Sequence, residues 1–349
     1  MKYSQATLLS CLFLGLTCSA AEQSSLTNVA LPKKIGLVSA IAYPHKDYML
    51  VGGAGGCVRV CLNSKNNPSI FVNDDEVFSI DAHKKKCLCV IASRQGLSIY
   101  SPAAHQTSWR KNDLPTKNMS VAFAAKNTIL ALDTDNQLLR QFNYKKNTAQ
   151  QFQINCYKPE GIPTALLSHC INNTGRLFLA YINENLFACK KPLFGSIAPK
   201  TLPSDLPQHT KEALFSPDSN SIAIVNWSDG VVVWNSKSKK KNVSTLKPKY
   251  TIDDIMMTLS IAMSDDILAV LSHPGHAEYV LDFYNLKTGK FIAQKNKLPL
   301  DFSSRKDIMT YLRRLVFSPD KKSIAVLGDT NALLIPVPEE VIDQQDTKQ

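Results

Sequence analysis

Two stretches of this chain repeat each other, and that repetition constrains the fold more than any other feature. Leu214–Trp234 reads LFSPDSNSIAIVNWSDGVVVW, and Val316–Ile335 reads VFSPDKKSIAVLGDTNALLI. In each, an apolar run ends in Phe-Ser, a Pro-Asp turn follows, and then come a β-prone run, a polar turn and a second apolar run. Proline presets φ for a tight turn and aspartate bonds its own following backbone, so Ser-Pro-Asp is a turn with a mechanism. Weaker copies of the template begin at Ser39, Val77, Ser120, Thr164 and Leu259. Equivalent points (Tyr43, Asp81, Phe123, His169, Phe215, Met263 and Phe317) fall about 40 to 55 residues apart, the period of a four-stranded repeat unit.

A lone four-stranded sheet of this kind cannot bury both of its faces. Arranging the copies radially packs each face against a neighbour and leaves only short edges. The expectation is therefore an all-β chain: a single seven-bladed β-propeller of four-stranded antiparallel blades. The last copy stops at its third strand, near Leu333 to Val337. Its fourth strand is expected from Leu26 to Leu31, which would clasp the ring with both termini in one blade. The implied layout is a signal peptide at residues 1–21, the propeller at 22–340 and a polar C-terminal tail at 341–349.

Gly52-Gly53-Ala54-Gly55-Gly56 followed by Val58-Arg59-Val60 resembles the third strand of a WD repeat. So do Ser228-Asp229-Gly230 with Val231 to Asn235, and Val280 to Lys290. Trp234-Asn235 stands where that family has its Trp-Asp pair. Cys61-Leu62 and Tyr284-Asn285 replace the pair elsewhere, and the family's Gly-His pair is missing throughout. The resemblance covers nearly the whole chain after residue 21, in degenerate copies. It implies a partner-binding face built from the loops between second and third strands and between blades. Carried over by position, that face includes Arg94, Trp227 and His273, with Trp109 and Arg110 joining from the segment between two copies.

The N-terminus reads as an export signal, with Lys2, an apolar run from Ala6 to Leu16 too short to span a bilayer, and small residues Ser19, Ala20 and Ala21 for cleavage. A periplasmic or secreted location is expected, with no transmembrane segment in the remaining chain. The formal charge is +11. Export argues against a nucleic-acid partner, so Lys84-Lys85-Lys86 and Lys239-Lys240-Lys241 read as solvated turns or as attraction to an acidic surface. Seven cysteines follow the signal. Cys57 with Cys61, and Cys87 with Cys89, are spaced to share a strand face, where cysteine serves as a small buried residue.

No strong catalytic motif stands in the sequence: no nucleophile elbow, no phosphate-cradling Gly-Lys loop and no His-Glu-x-x-His. Gly52 to Gly56 lies between two strands, which makes it a hairpin turn. His273-Pro274-Gly275-His276 places two imidazoles in a turn with no third metal ligand nearby in sequence. No catalytic residue, metal ligand or cofactor is assigned. The expected role is an exported, non-enzymatic scaffold for protein–protein contacts. The alternative is a propeller enzyme or small-ligand binder, lactonase-like or quinoprotein-like, with its site over the central channel. Exposed Trp and Arg are enriched at binding hot spots, which singles out Trp109, Arg110, Trp227 and Arg94.

Overall fold

Apolar runs of five to eight residues, punctuated by Gly, Pro, Asn and Asp, become hairpins, and each set of hairpins becomes one sheet. A computed structural model describes residues 26–346, apart from 63–68, 84–85, 113, 115–118, 126, 134–135, 137, 155–176, 183–184, 191–199, 202–209, 227–229, 236–247, 253–257, 274–277 and 301–314. The described strands form antiparallel blades. Blade 1 runs Val38–His45, Tyr48–Gly53, Gly56–Cys61, Ser69–Asn73 from inside to outside, and blade 2 runs Val77–Ala82, Cys89–Ser93, Gly96–Ser101, Gln106–Lys111. Blade 3 comprises Met119–Ala125, Thr128–Asp133, Leu138–Asn143 and Thr148–Gln153. Blade 4 comprises Thr210–Phe215, Ser221–Asn226, Gly230–Asn235 and Pro248–Ile252, and blade 5 Thr258–Met263, Ile267–Ser272, Tyr279–Asn285 and Phe291–Leu298. Blade 6 contributes Leu315–Phe317, Ser323–Leu327 and Asn331–Pro336.

The fourth strand of blade 6 is Thr27–Ala30, from the other end of the chain. It pairs antiparallel with the third strand in the register Thr27 to Leu334 through Ala30 to Asn331. Val29 is fully buried there, and Asn331 Nδ2 donates to Asn28 Oδ1 at 3.1 Å. The clasp expected from the sequence is thus present in the structure.

The count of seven four-stranded blades is corrected. Among the described residues the structure has six four-stranded blades. The stretch assigned to the copy beginning at Thr164 instead gives a three-stranded sheet of Leu177–Ile182, Asn185–Lys190 and Lys200–Thr201. Its outermost strand is only two residues long. The sequence around it carries Pro192, Gly195, Pro199 and Pro203. Proline donates no ladder hydrogen bond and glycine adds no packing, so the sequence here gives a weak strand signal. The inner run from Thr164 lies outside the described residues.

First strands of neighbouring blades touch one another, from blade 4 through 5, 6, 1 and 2 to blade 3. The apolar cores lie between blades. One joins blades 6 and 1 through Val29, Ile41, Met49, Ala325 and Ala332, and another joins blades 5 and 6 through Leu271, Phe283, Val326 and Leu333. Burial falls from the axis outward, as radial packing requires. All six residues of Ile267–Ser272, a second strand, are buried, whereas the outer strand Gln106–Lys111 alternates between exposed and half-buried. At the C-terminus, residues 339–346 form a helix that inserts Val341 into the core between blades 5 and 6.

The Ser-Pro-Asp turns are superimposable in their bonding. Ser216 Oγ donates to Asp218 Oδ1 at 2.6 Å and accepts from the Ser221 amide at 2.9 Å. Ser318 does the same with Asp320 at 2.6 Å and Ser323 at 3.0 Å. Ser219 and Lys321 occupy the left-handed region at φ 59° and 61°. In blade 5 Ser264 Oγ accepts from the Ile267 amide at 3.1 Å, so Asp265-Asp266 does hold the turn position. The glycine-rich hairpin of blade 1 is covered by residues 33–37. The Gly55 amide donates to Ile35 O at 2.8 Å, and a Cβ on Gly55 would sit 1.8 Å from Lys34 O.

Candidate binding site

Among the described residues, the turns between second and third strands in blades 1, 2 and 6 stand at the same end of their blades. In blade 2 that turn is Ser93 to Gly96, with Arg94 and Gln95 exposed at its tip. The Arg94 amide donates to Glu76 O at 2.9 Å and fixes the turn against the chain entering the blade. Gly96 adopts φ 124°, and a Cβ there would lie 2.1 Å from Lys111 O, so only glycine lets the outer strand approach this closely.

Beside this turn, a cleft opens between the outer strand of blade 1 and the outer half of blade 2. Asn73, Ser93, Gln95, Thr107, Arg110 and Asn112 line it. Amides and hydroxyls can both donate and accept, and the guanidinium only donates. The lining therefore suits an extended polar segment that carries negative charge.

Adjacent residues on a strand point to opposite faces, and this separates Trp109 from Arg110. Arg110 lies opposite Ser98, and both line the cleft toward blade 1. Trp109 lies opposite Ile99 and packs toward blade 3, with its ring 5.9 Å from that of Phe142. Its indole N–H donates to Asn147 Oδ1 at 3.4 Å. Arg110 thus lines the cleft and Arg94 stands at the tip of the turn beside it, while the half-buried Trp109 packs toward blade 3 on the other side of the sheet. His273 directly follows the second strand of blade 5, at the same end but three blades away around the ring. It is half-buried, with its ring 4.9 Å from that of Tyr279. Trp227 lies outside the described residues, as do Lys84, Lys85 and Lys239 to Lys241. Lys86 Nζ bonds Asn127 Oδ1 at 3.2 Å and Tyr144 Oη at 3.3 Å.

Several polar groups that organise the fold were not singled out from the sequence. First strands have an edge left over by their own sheet, and its donors need acceptors. Ser79 Oγ and Asp81 Oδ2 accept from the amides of Val121 (3.3 Å) and Phe123 (2.8 Å) in the next blade. Glu212 Oε2 does the same for Ile261 at 3.0 Å. The available signal was a polar residue within an otherwise apolar inner run. Asp133 and Arg140 form a buried ion pair at 3.2 Å in blade 3. In blade 5 Gln294 Nε2 donates to Asp282 Oδ1 at 2.7 Å, yet burial still holds that carboxyl above its usual range. Burial and the neighbouring Asp282 raise the Tyr284 hydroxyl to about 12.

Cys57 and Cys89 are fully buried, and Cys61 and Cys87 half-buried. Desolvation pushes the Cys57 and Cys89 thiols far up, which suits packing and disfavours thiolate chemistry. Among the described residues, no three His, Cys, Asp or Glu side chains gather as metal ligands.

The sheet order and radial packing define a β-propeller. No protein-family model matches this chain, and no curated protein matches it in sequence.

Proposed function

We propose that this chain is an exported, WD-repeat-like propeller that acts as a non-enzymatic scaffold for protein–protein contacts. The observation that carries the reading is a cleft between blades 1 and 2 lined by Arg110 with amides and hydroxyls, and the exposed Arg94 in the turn beside it. Such a cleft suits an extended acidic segment of a partner protein, with guanidinium groups forming charge-assisted bonds to its carboxylates. Trp227 and His273 belong to the same end by their place in the repeat. Export is supported by the Lys2, apolar-run and small-residue pattern of residues 1–21. The WD-like reading is supported by the third-strand segments and by Trp234, which is fully buried on blade 4.

The test is recovery of partners from an envelope extract by the wild type and by an Arg94→Glu/Arg110→Glu double variant, quantified side by side. Both side chains lie at the surface, so the variant should fold. The expected result is loss of a discrete set of wild-type partners and a steep fall in their capture with salt. Equal recovery by both proteins rules this face out.

A further inference from the structure

A strand at the edge of a sheet presents a row of unpaired amides and carbonyls, and folded proteins blunt such edges with charge, proline, bulges or brevity. Five of the six four-stranded blades carry such a device. The outer strand of blade 1 shifts register against its neighbour between Cys57 and Val58. That of blade 2 shifts between Ile99 and Tyr100 and carries Arg110 and Lys111. The outer strand of blade 4 starts at Pro248 and meets a shift between Val233 and Trp234. Blade 5 has two shifts, with Lys295 and Lys297 on the strand. The clasp strand of blade 6 has only four residues.

Blade 3 has none of these devices. Its outer strand Thr148–Gln153 reads TAQQFQ, without charge, proline or glycine. It pairs with the third strand through six consecutive residues and no shift, from Asn143 opposite Thr148 to Leu138 opposite Gln153. Thr148, Ala149, Gln150 and Gln151 are all exposed. Successive side chains point to opposite faces, so four exposed residues in a row leave both faces of the sheet open at this edge. Among the described residues, nothing bonds the amides and carbonyls that these four turn away from their own sheet.

The hairpin that carries the edge is held in place. The Lys146 amide donates to Asn143 Oδ1 at 3.1 Å, and Asn147, at φ 51°, accepts from the Trp109 indole of blade 2 at 3.4 Å. A fixed edge loses little freedom when a strand is added to it.

Charge selects the occupant. Lys145 and Lys146 are exposed in the turn just before the strand, and neither pairs with a carboxylate among the described residues. A second copy would bring the same two lysines on a body of formal charge +11, and like charge opposes that pairing. Antiparallel addition, the more stable mode, sets the C-terminal end of an incoming strand at Thr148, beside the lysines.

We propose that the outer edge of blade 3 binds an extended segment of a partner protein by strand addition. Thr148 to Gln151 supply the backbone bonds, and Lys145 and Lys146 pair with acidic residues at the C-terminal end of the segment. Main-chain bonds give the affinity, and the lysines give the direction. The edge is separate from the cleft between blades 1 and 2 and stands if the reading of that cleft fails.

The probe is a labelled synthetic peptide of three Thr-Val repeats ending in Asp-Asp, titrated with the purified full chain and followed by fluorescence anisotropy. Saturable binding is expected. A twin with Pro-Pro at its centre should not bind, and twins ending in Lys-Lys or carrying Asp-Asp at the N-terminus instead should bind more weakly. Lys145→Ala/Lys146→Ala should raise the Kd of the first peptide roughly fivefold, the loss of two exposed ion pairs. Arg94→Glu/Arg110→Glu should bind it like the wild type, which separates this edge from the cleft. Hydrogen exchange on the wild type needs no variant to fold: bound peptide should slow the amides of residues 148–151 and leave those of Ser93 to Gly96 unchanged. The proposal is overturned if no peptide binds saturably, if the Pro-Pro twin binds like its parent, or if protection falls at Ser93 to Gly96 and not at 148–151. It is also overturned if sedimentation shows the chain alone to be a dimer with residues 148–151 already protected, because a second copy then holds the edge.

Discussion

Closure of the ring rests on four residues from the N-terminus, so a single side chain there should report on the whole domain. Val29 is fully buried, pairs with Ala332, and packs in the core shared by blades 6 and 1. Val29→Ala removes two methyl groups, worth about 0.8 kcal/mol each in transfer free energy. The cavity left in that core raises the total to about 2–3 kcal/mol. For a chain of this size that is a fall in Tm of roughly 4–6 °C. Val29→Asp should do more, because the strand undocks rather than bury a carboxylate, and the third strand of blade 6 becomes an open edge. Deleting residues 22–33 should give the same phenotype, a broadened transition with loss of cooperativity. The control is Thr27→Ala, on the same strand but exposed, with an effect within about 0.5 kcal/mol. Urea unfolding followed by tryptophan fluorescence and by circular dichroism measures all four. Coincident midpoints for Val29→Ala and Thr27→Ala, or an unchanged transition in the deletion, would refute the clasp.

Trp109→Ala should destabilise the chain by about 2 kcal/mol, less than full burial implies because the ring is half-exposed, whereas Arg110→Ala should stay within about 0.5 kcal/mol; urea midpoints distinguish them. Asp282→Asn should stabilise the protein in a pH-dependent way. The folded pKa is raised above the unfolded value of 3.8, so the native state favours the protonated acid. That contribution is complete below the unfolded pKa and is lost as pH rises through the folded one. The variant should therefore match the wild type in acid and exceed it at neutral pH, and a Tm difference independent of pH would count against the assignment. Gly55→Ala should push residues 33–36 off the blade 1 hairpin at a cost of about 1–3 kcal/mol, seen as faster hydrogen exchange at the Ala54 and Gly55 amides, which bond Leu37 O and Ile35 O.

Most of the architecture was legible because a propeller repeats its physics. Ser-Pro-Asp at 216–218 and at 318–320 marks the same turn in two blades, and each apolar run beside it is buried because blades cover both of its faces. The clasp was legible because the last copy lacked an outer strand and Leu26 to Leu31 supplied one. Blade number was less legible. Leu177 to Lys190 forms one hairpin, but the sequence after it, with Pro192, Gly195, Pro199 and Pro203, gives a weak outer-strand signal. Apolar periodicity alone does not register how long that last strand can be.

The sites were harder to see for a different reason. Sequence proximity put Trp109 and Arg110 in one hypothesis, and strand geometry sends them to opposite sides of the same sheet. The reverse holds for Arg59 and His105, which are 46 residues apart and in contact. In a radial stack, a contacting pair forms across a seam between blades, so its members are separated by about one repeat, not by a few residues. The inner latches obey the same offset: Ser79 reaches Val121 and Asp81 reaches Phe123, both 42 residues on. A polar residue that interrupts an apolar run is therefore one to examine first against the strand one repeat further on. Arg59 interrupts the Val58–Val60 run, and His105 falls within the next copy.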